Sequence, residues 1–106
     1  MESGSLFESL PFSVIANVGS ARSMYIEAIH LARNGAIKEA RERMKEGELL
    51  FVEGHGSHLK MFGEELSVED LRYIPLLMHA EDQLMSAETL KIVCEEMIDI
   101  LEEHKA

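Results

Sequence analysis

Two helical sequence patterns joined by a very short polar segment restrict the fold of this chain more than any other feature. In the first pattern, apolar residues recur at steps of three and four positions, as on one side of an α-helix. They are Val14, Val18, Ala21, Tyr25, Ala28 and Ala32. The pattern predicts a helix that begins between Ser5 and Ser13 and ends near Arg33. Pro11 fits its first turn, where a missing N–H costs nothing.

The segment Asn34-Gly35 follows, and both residues accept the positive φ that commonly ends a helix. A connection this short makes the second helix antiparallel to the first. The second helix is predicted from Ile37 to Met61 or Phe62. Its seam has steps of three and four residues, close to a heptad repeat. The seam residues are Ile37, Ala40, Met44, Gly47, Phe51, His55, His58 and Phe62.

A third helix is predicted after a break at 63–73, where Ser67 and Asp70 resemble a capping box. Pro75 fits the first turn of this helix, which runs to about Glu103. Apolar residues cover well over half of its circumference. One three-helix chain buries only one side of each helix, so this width predicts a second contact surface and an oligomer. The predicted fold is all-α, an antiparallel up-down-up three-helix bundle forming one domain over residues 1–106.

Composition narrows the class of function. Six aromatic residues, two prolines and the absence of alternating β-branched runs favour helices over sheets. Twenty acidic against ten basic residues give a net charge of −10, which argues against binding to nucleic acid or to an anionic membrane. The lone Cys94 is interpreted as a small core residue. No secretory signal and no apolar run of membrane-spanning length is visible, so we expect a cytoplasmic protein.

Polar residues interrupt the apolar pattern early in the third helix. His79, Gln83 and Ser86 lie on the stripe that continues as Leu90, Val93 and Met97, with Asp82 close by. We expect this polar group on the packing side, where unpartnered polar residues cost stability. The acidic outer face is instead assigned to Glu81, Glu88, Glu95 and Glu102, which recur every seven residues.

Connectivity places His55 and His58, near the end of the second helix, at the same end of the bundle as His79 and Asp82. Three chemistries remain open there. The histidines are metal ligands, or core residues bonded to carbonyls, or His79 is a nucleophile that accepts a phosphoryl or acyl group. In the last case Asp82 is placed one turn away, where it can orient the ring. Copies of Asp82 from several subunits would suit magnesium better than zinc.

Four segments carry a resemblance to a known family. They are GSARS at Gly19–Ser23, ARNGAIKEA at Ala32–Ala40, GHGSHLKMF at Gly54–Phe62 and MHAEDQLMSA at Met78–Ala87. In this order they resemble the enzyme IIA component of the lactose/cellobiose (N,N′-diacetylchitobiose) class of the phosphoenolpyruvate-dependent sugar phosphotransferase system. The resemblance extends over 12–105, nearly the whole chain.

The resemblance implies a homotrimer, in which three bundles form a nine-helix barrel. It implies a phosphohistidine at His79 that is charged by the phosphocarrier HPr and discharged to a cysteine of the cognate enzyme IIB. It also implies that Asp82, one from each subunit, holds a divalent metal on the threefold axis, with Mg2+ expected. The resemblance further implies uptake of a lactose/cellobiose-type sugar, and it leaves open which sugar of this class is transported.

The chain departs from the family pattern near the implied site. Glu81 replaces a glutamine, Gln83 replaces the second signature histidine, and His58 replaces a glutamine of the second helix. Glu81 is expected to add negative charge beside the phosphoryl acceptor, and His58 to take over the hydrogen bonding lost with Gln83. Two alternatives therefore stay open: a diverged trimeric paralogue with a binding or regulatory role and no relay, or a helical oligomerisation or metal-binding module of another kind.

Overall fold

Three long helices make up almost all of the chain. The computed structural model describes residues 6–61 and 64–104. The helices are α1 (Leu6–Arg33), α2 (Ile37–Lys60) and α3 (Ile74–Glu103), with a 3₁₀ helix at Glu69–Tyr73. They pack side by side into a rod of 60 × 23 × 18 Å, and α1 contacts both of the others. The predicted all-α, up-down-up three-helix bundle is confirmed.

The α1 stripe and the turn after it are as predicted. All six stripe residues from Val14 to Ala32 are buried, five of them completely. Gly35 has a φ of 86°, which an L residue with a side chain rarely adopts. The Ala36 N–H donates to the Leu31 carbonyl at 2.9 Å and so closes the helix end. One detail differs: α1 begins at Leu6, so Pro11 lies inside the helix and leaves the Phe7 carbonyl without its usual donor.

The seam of α2 changes register after Gly47. Ala40, Met44 and Gly47 are buried as predicted, but the next buried residues are Gly54, Ser57 and Met61. His55 is exposed, so its predicted place in the seam is wrong, and Phe62 lies outside the described residues. The change of register has a steric reason, the close approach of α1 to α2. A Cβ on Gly54 would lie 2.8 Å from Cγ2 of Val18, so only a glycine lets α1 approach so closely.

Close packing between α1 and α2 depends on glycines of α2 and not on the glycine of α1. A Cβ on Gly47 would lie 2.6 Å from Cε1 of Tyr25, whereas one on Gly19 would have no atom within 4 Å. The close contacts lie on α2, at Gly47 and Gly54, and Tyr25 fills the space that Gly47 leaves.

The segment between α2 and α3 contains the predicted capping box. The Ser67 N–H donates to Oδ2 of Asp70 at 3.0 Å, and the Asp70 N–H donates to Oγ of Ser67 at 3.2 Å. Asp70 is buried by this arrangement. α3 then begins at Ile74 with Pro75 in its first turn, as predicted.

The buried side of α3 is displaced by one residue from the predicted stripe. Its buried residues are Ala80, Leu84, Ala87, Cys94 and Ile98. The four glutamates of the heptad series are exposed, as predicted. Large apolar residues also remain exposed on α3: Met78, Met85, Ile92, Val93, Met97 and Ile100. An apolar sequence around most of a helix leaves the choice of inner side open, and the fit against α1 decides it. No described helix combines the length and hydropathy needed to cross a membrane.

Candidate functional site

His79 is exposed on α3, directly before the fully buried Ala80. The expectation that the polar group lies on the packing side of this chain is therefore wrong for His79, Asp82 and Ser86, which are all exposed. Since Ala80 and Leu84 pack into the core, the backbone that carries the imidazole is held firmly while its ring faces outward. This arrangement presents a nucleophilic nitrogen to an approaching molecule.

Asp82 lies about 60° around the helix from His79, because each residue advances about 100° around the axis. Among residues 6–61 and 64–104, no hydrogen bond or ion pair joins its carboxylate to the His79 ring. Orientation of the ring by Asp82, one of the possibilities considered from the sequence, is therefore not seen in the single chain. The carboxylate is left available to other ligands.

Gln83 is tied to α1 by an arginine that the sequence reasoning did not single out. Nη1 of Arg22 donates to Oε1 of Gln83 at 3.0 Å. Gln83 follows His79 by four residues, so the two side chains are neighbours on the helix surface. The available signal was an arginine on a helix whose neighbouring residues are mostly apolar or small, within the GSARS segment. Only the packing of α1 against α3 brings this arginine to Gln83.

Glu81 and His58 form a contact on the other side of α3. Nε2 of His58 lies 3.7 Å from Oε2 of Glu81, and the His58 side chain is only 14% exposed. Glu81 follows His79 by two residues and so points about 200° away from it around the helix. In the single chain Glu81 therefore lies away from His79 and not beside it, and the expectation that His58 replaces the bonding lost with Gln83 stays a prediction. His58 faces Glu81, while Arg22 bonds Gln83.

His55 belongs to the α2 surface. Its ring stacks on Phe51 with centroids 6.2 Å apart and lies 6.5 Å from the His58 ring. His55 is exposed, and its ring contacts are with residues of its own helix. The structure thus divides the predicted site residues: His79, Asp82 and Gln83 share one sector of α3, and His58 meets Glu81 on another.

A cavity of about 250 Å³ lies where α2 ends and α3 begins. Its lining residues are Phe7, His58, Met61, Ile74, Leu77, Met78 and Glu81. Apart from His58 and Glu81 the lining is apolar. The cavity is therefore a mostly apolar recess that lies next to Met78, beside the exposed outer side of α3.

The chemistry available here is limited to a few groups. Within the described ranges, no three His, Cys, Asp or Glu side chains gather closely enough to hold a metal ion. The Cys94 thiol is buried, and that burial raises its pKa, which disfavours the reactive thiolate. The exposed His79 imidazole is left as the best-placed nucleophile of the sector, with Arg22 as a nearby cation.

Comparisons with known proteins agree with one another. The family model described as "PTS system, Lactose/Cellobiose specific IIA subunit" matches residues 9–102. A lactose-specific EIIA component from Lactococcus lactis subsp. lactis is 35% identical over 86% of this chain and 87% of its own length. An oligo-beta-mannoside-specific EIIA component from Bacillus subtilis (strain 168) is 33% identical over 88% and 84%. The crystal structure of a cellobiose-specific enzyme IIA from Bacillus anthracis superposes with a TM-score of 0.80 at 32% identity, over 95% and 93%.

Proposed function

Because this chain belongs to the lactose/cellobiose-specific IIA family of the sugar phosphotransferase system, we propose that it carries a phosphoryl group on His79 during sugar uptake. As a member it is a phosphotransferase system enzyme component. The observation that carries the proposal is the exposure of His79 on a helix whose opposite side is packed into the core. A fixed, accessible imidazole is what a phosphoryl relay requires.

The proposed relay has two transfers. Phospho-HPr brings a phosphoryl group bound to an imidazole nitrogen; that P–N bond breaks as a P–N bond to His79 forms. The phosphoryl group then leaves His79 for the thiolate sulfur of a cysteine on the cognate enzyme IIB, and the imidazole is regenerated. Such transfers depend on positioning and on stabilisation of charge more than on covalent chemistry by the protein. His79 is exposed, so HPr and enzyme IIB can approach it in turn.

We propose further that the outer side of α3 joins copies of the chain into a homotrimer. Met85, Ile92 and Ile100 are each more than half exposed in the single chain, and Val93 lies among them. A contiguous apolar face of this kind is uncommon on a protein that stays monomeric. The expected nine-helix barrel would cover this face by packing three copies of α3 together.

Asp82 is the proposed metal ligand. A carboxylate oxygen is a donor that Mg2+ prefers, and no described group of three ligands exists within one chain. Suitable coordination would therefore require Asp82 from several copies. A bound cation would neutralise carboxylates that otherwise repel one another. Replacing Asp82 by leucine should remove the requirement for Mg2+ while sedimentation still reports a trimer.

The sugar and the location follow from the relay as further proposals. The relatives bear the names of lactose, oligo-beta-mannosides and lichenan, so a lactose or cellobiose-type sugar is proposed for this chain. We also propose a cytoplasmic location, because the proposed relay requires contact with HPr and enzyme IIB.

The test is an intact-mass measurement after incubation with enzyme I, HPr, phosphoenolpyruvate and Mg2+ at neutral pH. One added phosphoryl group, labile to acid and missing from His79→Ala, is the expected result. His79→Ala should keep its helical circular dichroism, since His79 is exposed. Label that persists in His79→Ala would move the acceptor to His55 or His58. No label on a folded wild-type chain, with an active HPr control, would favour the diverged paralogue without a relay.

A further inference from the structure

The groove between α1 and α3 contains a cation on the same side of α3 as His79. Nη1 of Arg22 donates to Oε1 of Gln83 at 3.0 Å. Gln83 and His79 are four residues apart in α3, which places their Cβ atoms about 6 Å from each other. The guanidinium is therefore held by an uncharged amide on the residue one helical turn after His79.

The residues around Arg22 show in which direction its side chain extends along α3. Arg22 lines a cavity of about 430 Å³ together with Ser86, Thr89, Leu90 and Val93. These residues lie further along α3 than Gln83, to which the tip of the side chain is bonded. The side chain thus extends along α3 toward its N-terminal end, where His79 lies.

One donor of Arg22 is left without an acceptor. Its Nε is buried and makes no hydrogen bond with any residue among 6–61 and 64–104. A buried donor on a charged group that lacks an acceptor is costly, so such a group usually meets one in its working state. An anionic oxygen within reach of the guanidinium would supply that acceptor and would also balance the charge of Arg22.

The negative charge of the chain favours a cation near His79. The chain has a net charge of −10, and Asp82 lies in the same sector of α3. Glu81 points to the other side, toward His58. A phosphoryl group adds further negative charge, which Asp82 repels. Arginine binds phosphate oxygens through parallel N–H donors, and this makes it better suited than lysine to the task.

We propose that Arg22 binds the phosphoryl group at His79 and that Gln83 is the positioning residue that aims its guanidinium. This proposal rests on the phosphocarrier function proposed above and adds the group that stabilises the transferred charge. As the donor's P–N bond breaks and the bond to His79 forms, Arg22 donates hydrogen bonds to phosphoryl oxygens. It neither gains nor loses a proton.

The test uses a phosphoryl donor that needs no protein partner. Phosphoramidate transfers its phosphoryl group to imidazole: its P–N bond breaks, a P–N bond to His79 forms, and ammonia leaves with the proton displaced from the ring. Formation and hydrolysis of phosphohistidine are followed by ³¹P NMR and intact mass. Labelling by phospho-HPr is measured in parallel, so a failure of the relay and a failure of the Arg22 proposal give different results.

Four variants separate phosphoryl binding from a merely structural link between helices. Arg22→Met removes the charge, Arg22→Lys keeps it without the planar donors, and Gln83→Glu adds a carboxylate that pairs with Arg22. Arg43→Met is the matched control, because Arg43 also joins two helices by an ion pair, with Glu27 of α1. Circular dichroism and urea unfolding confirm that each variant is folded.

Arg22→Met should slow phosphohistidine formation roughly tenfold or more, as expected for loss of a hydrogen bond to a charged group. Arg22→Lys should fall between it and the wild type, and Arg43→Met should stay within about twofold of the wild type. Gln83→Glu should be slow although its new ion pair ties α1 to α3 more firmly. A structural role predicts the reverse for Gln83→Glu: normal labelling and greater stability.

The remaining outcomes are also decisive. Labelling of Arg22→Met at the wild-type rate, with only a loss of stability, would overturn the proposal. If the wild-type chain were labelled by phosphoramidate but not by phospho-HPr, the relay proposal would be wrong. The rate of phosphohistidine formation in Arg22→Met relative to wild type would still decide the role of Arg22. If neither phosphoramidate nor phospho-HPr labelled His79, both proposals would be wrong. If only phospho-HPr labelled it, the relay proposal would stand, and the rate of Arg22→Met relative to wild type in that reaction would decide the role of Arg22.

Discussion

The two sides of α3 have similar hydropathy in the sequence but different roles in the molecule. On the inner side Ala80, Ala87 and Ile98 are completely buried against the rest of the bundle. On the outer side Met85 and Ile92 are apolar too, yet each is more than half exposed. Only the inner side is used to fold the single chain.

The difference shows how a functional group is placed without loss of stability. The core is complete without the outer side of α3, so His79, Asp82 and Ser86 can lie there at little energetic cost. The backbone beneath them is still fixed, because each is next to or near a buried residue of the same helix. A polar site on a firmly packed helix can keep its geometry as partners come and go.

Adjacent residues offer the strongest way to test this contrast. Ala87→Asp should cost about 4 kcal/mol or more and leave the domain largely unfolded, because it buries an unpaired carboxylate. Ser86→Asp places the same group one residue earlier on the exposed side and should change the stability of the single chain by about 0.5 kcal/mol or less. Far-UV circular dichroism and urea unfolding measure both.

Sedimentation velocity sharpens the same comparison. If copies of the chain cover the outer side of α3, Ser86→Asp should dissociate the assembly while helicity is retained. Equal losses of helicity in the two variants would contradict the distinction between inner and outer side.

Two glycines of α2 give a smaller and opposite pair of effects. Gly47→Ala places a Cβ 2.6 Å from Cε1 of Tyr25 and 3.2 Å from Cβ of Met24, and the fully buried Tyr25 ring has little room to move. Overpacking should exceed the gain in helix propensity, so a net loss of about 1 kcal/mol or more is expected. Gly56→Ala meets no atom within 4 Å and should stabilise by up to about 1 kcal/mol. Urea midpoints that shift in the same direction would refute this.

The smallest effect is expected at the margin of the inner side. Nζ of Lys91 lies 2.5 Å from Oε1 of Glu48, and this hydrogen bond raises the pKa of Lys91. Lys91→Met should cost about 0.2–1 kcal/mol, since both side chains are partly exposed. Because the folded pKa is raised, the contribution is complete below the unfolded value of about 10.4 and is lost as pH rises through the folded value.

Paired unfolding curves of wild type and Lys91→Met test that sign. The difference in unfolding free energy should be constant from pH 7 to about 9 and should shrink at higher pH. A difference that grows with rising pH would show that the ion pair has been assigned the wrong role.

Interactions between residues close in the sequence were sufficient to predict the helices and where they begin and end. The end of α1 at Asn34-Gly35, the capping box at Ser67 and Asp70, and the start of α3 around Pro75 depend on residues within a few positions of one another. The buried stripe of α1 was equally clear, because its apolar residues occupy one narrow side. The exposed glutamate series of α3 follows from the same periodicity.

Tertiary packing decided what periodicity left open. α3 is apolar around most of its circumference, so its inner side was fixed only by contact with α1, one residue away from the predicted stripe. The register of α2 depended on which glycines admit Tyr25 and Val18, and this moved His55 to the surface. Arg22 joined Gln83, and His58 joined Glu81, across distances of 61 and 23 residues. Sequence spacing within one helix does not show which helix packs against it. The packing of the helices therefore determined which side chains meet at the candidate site.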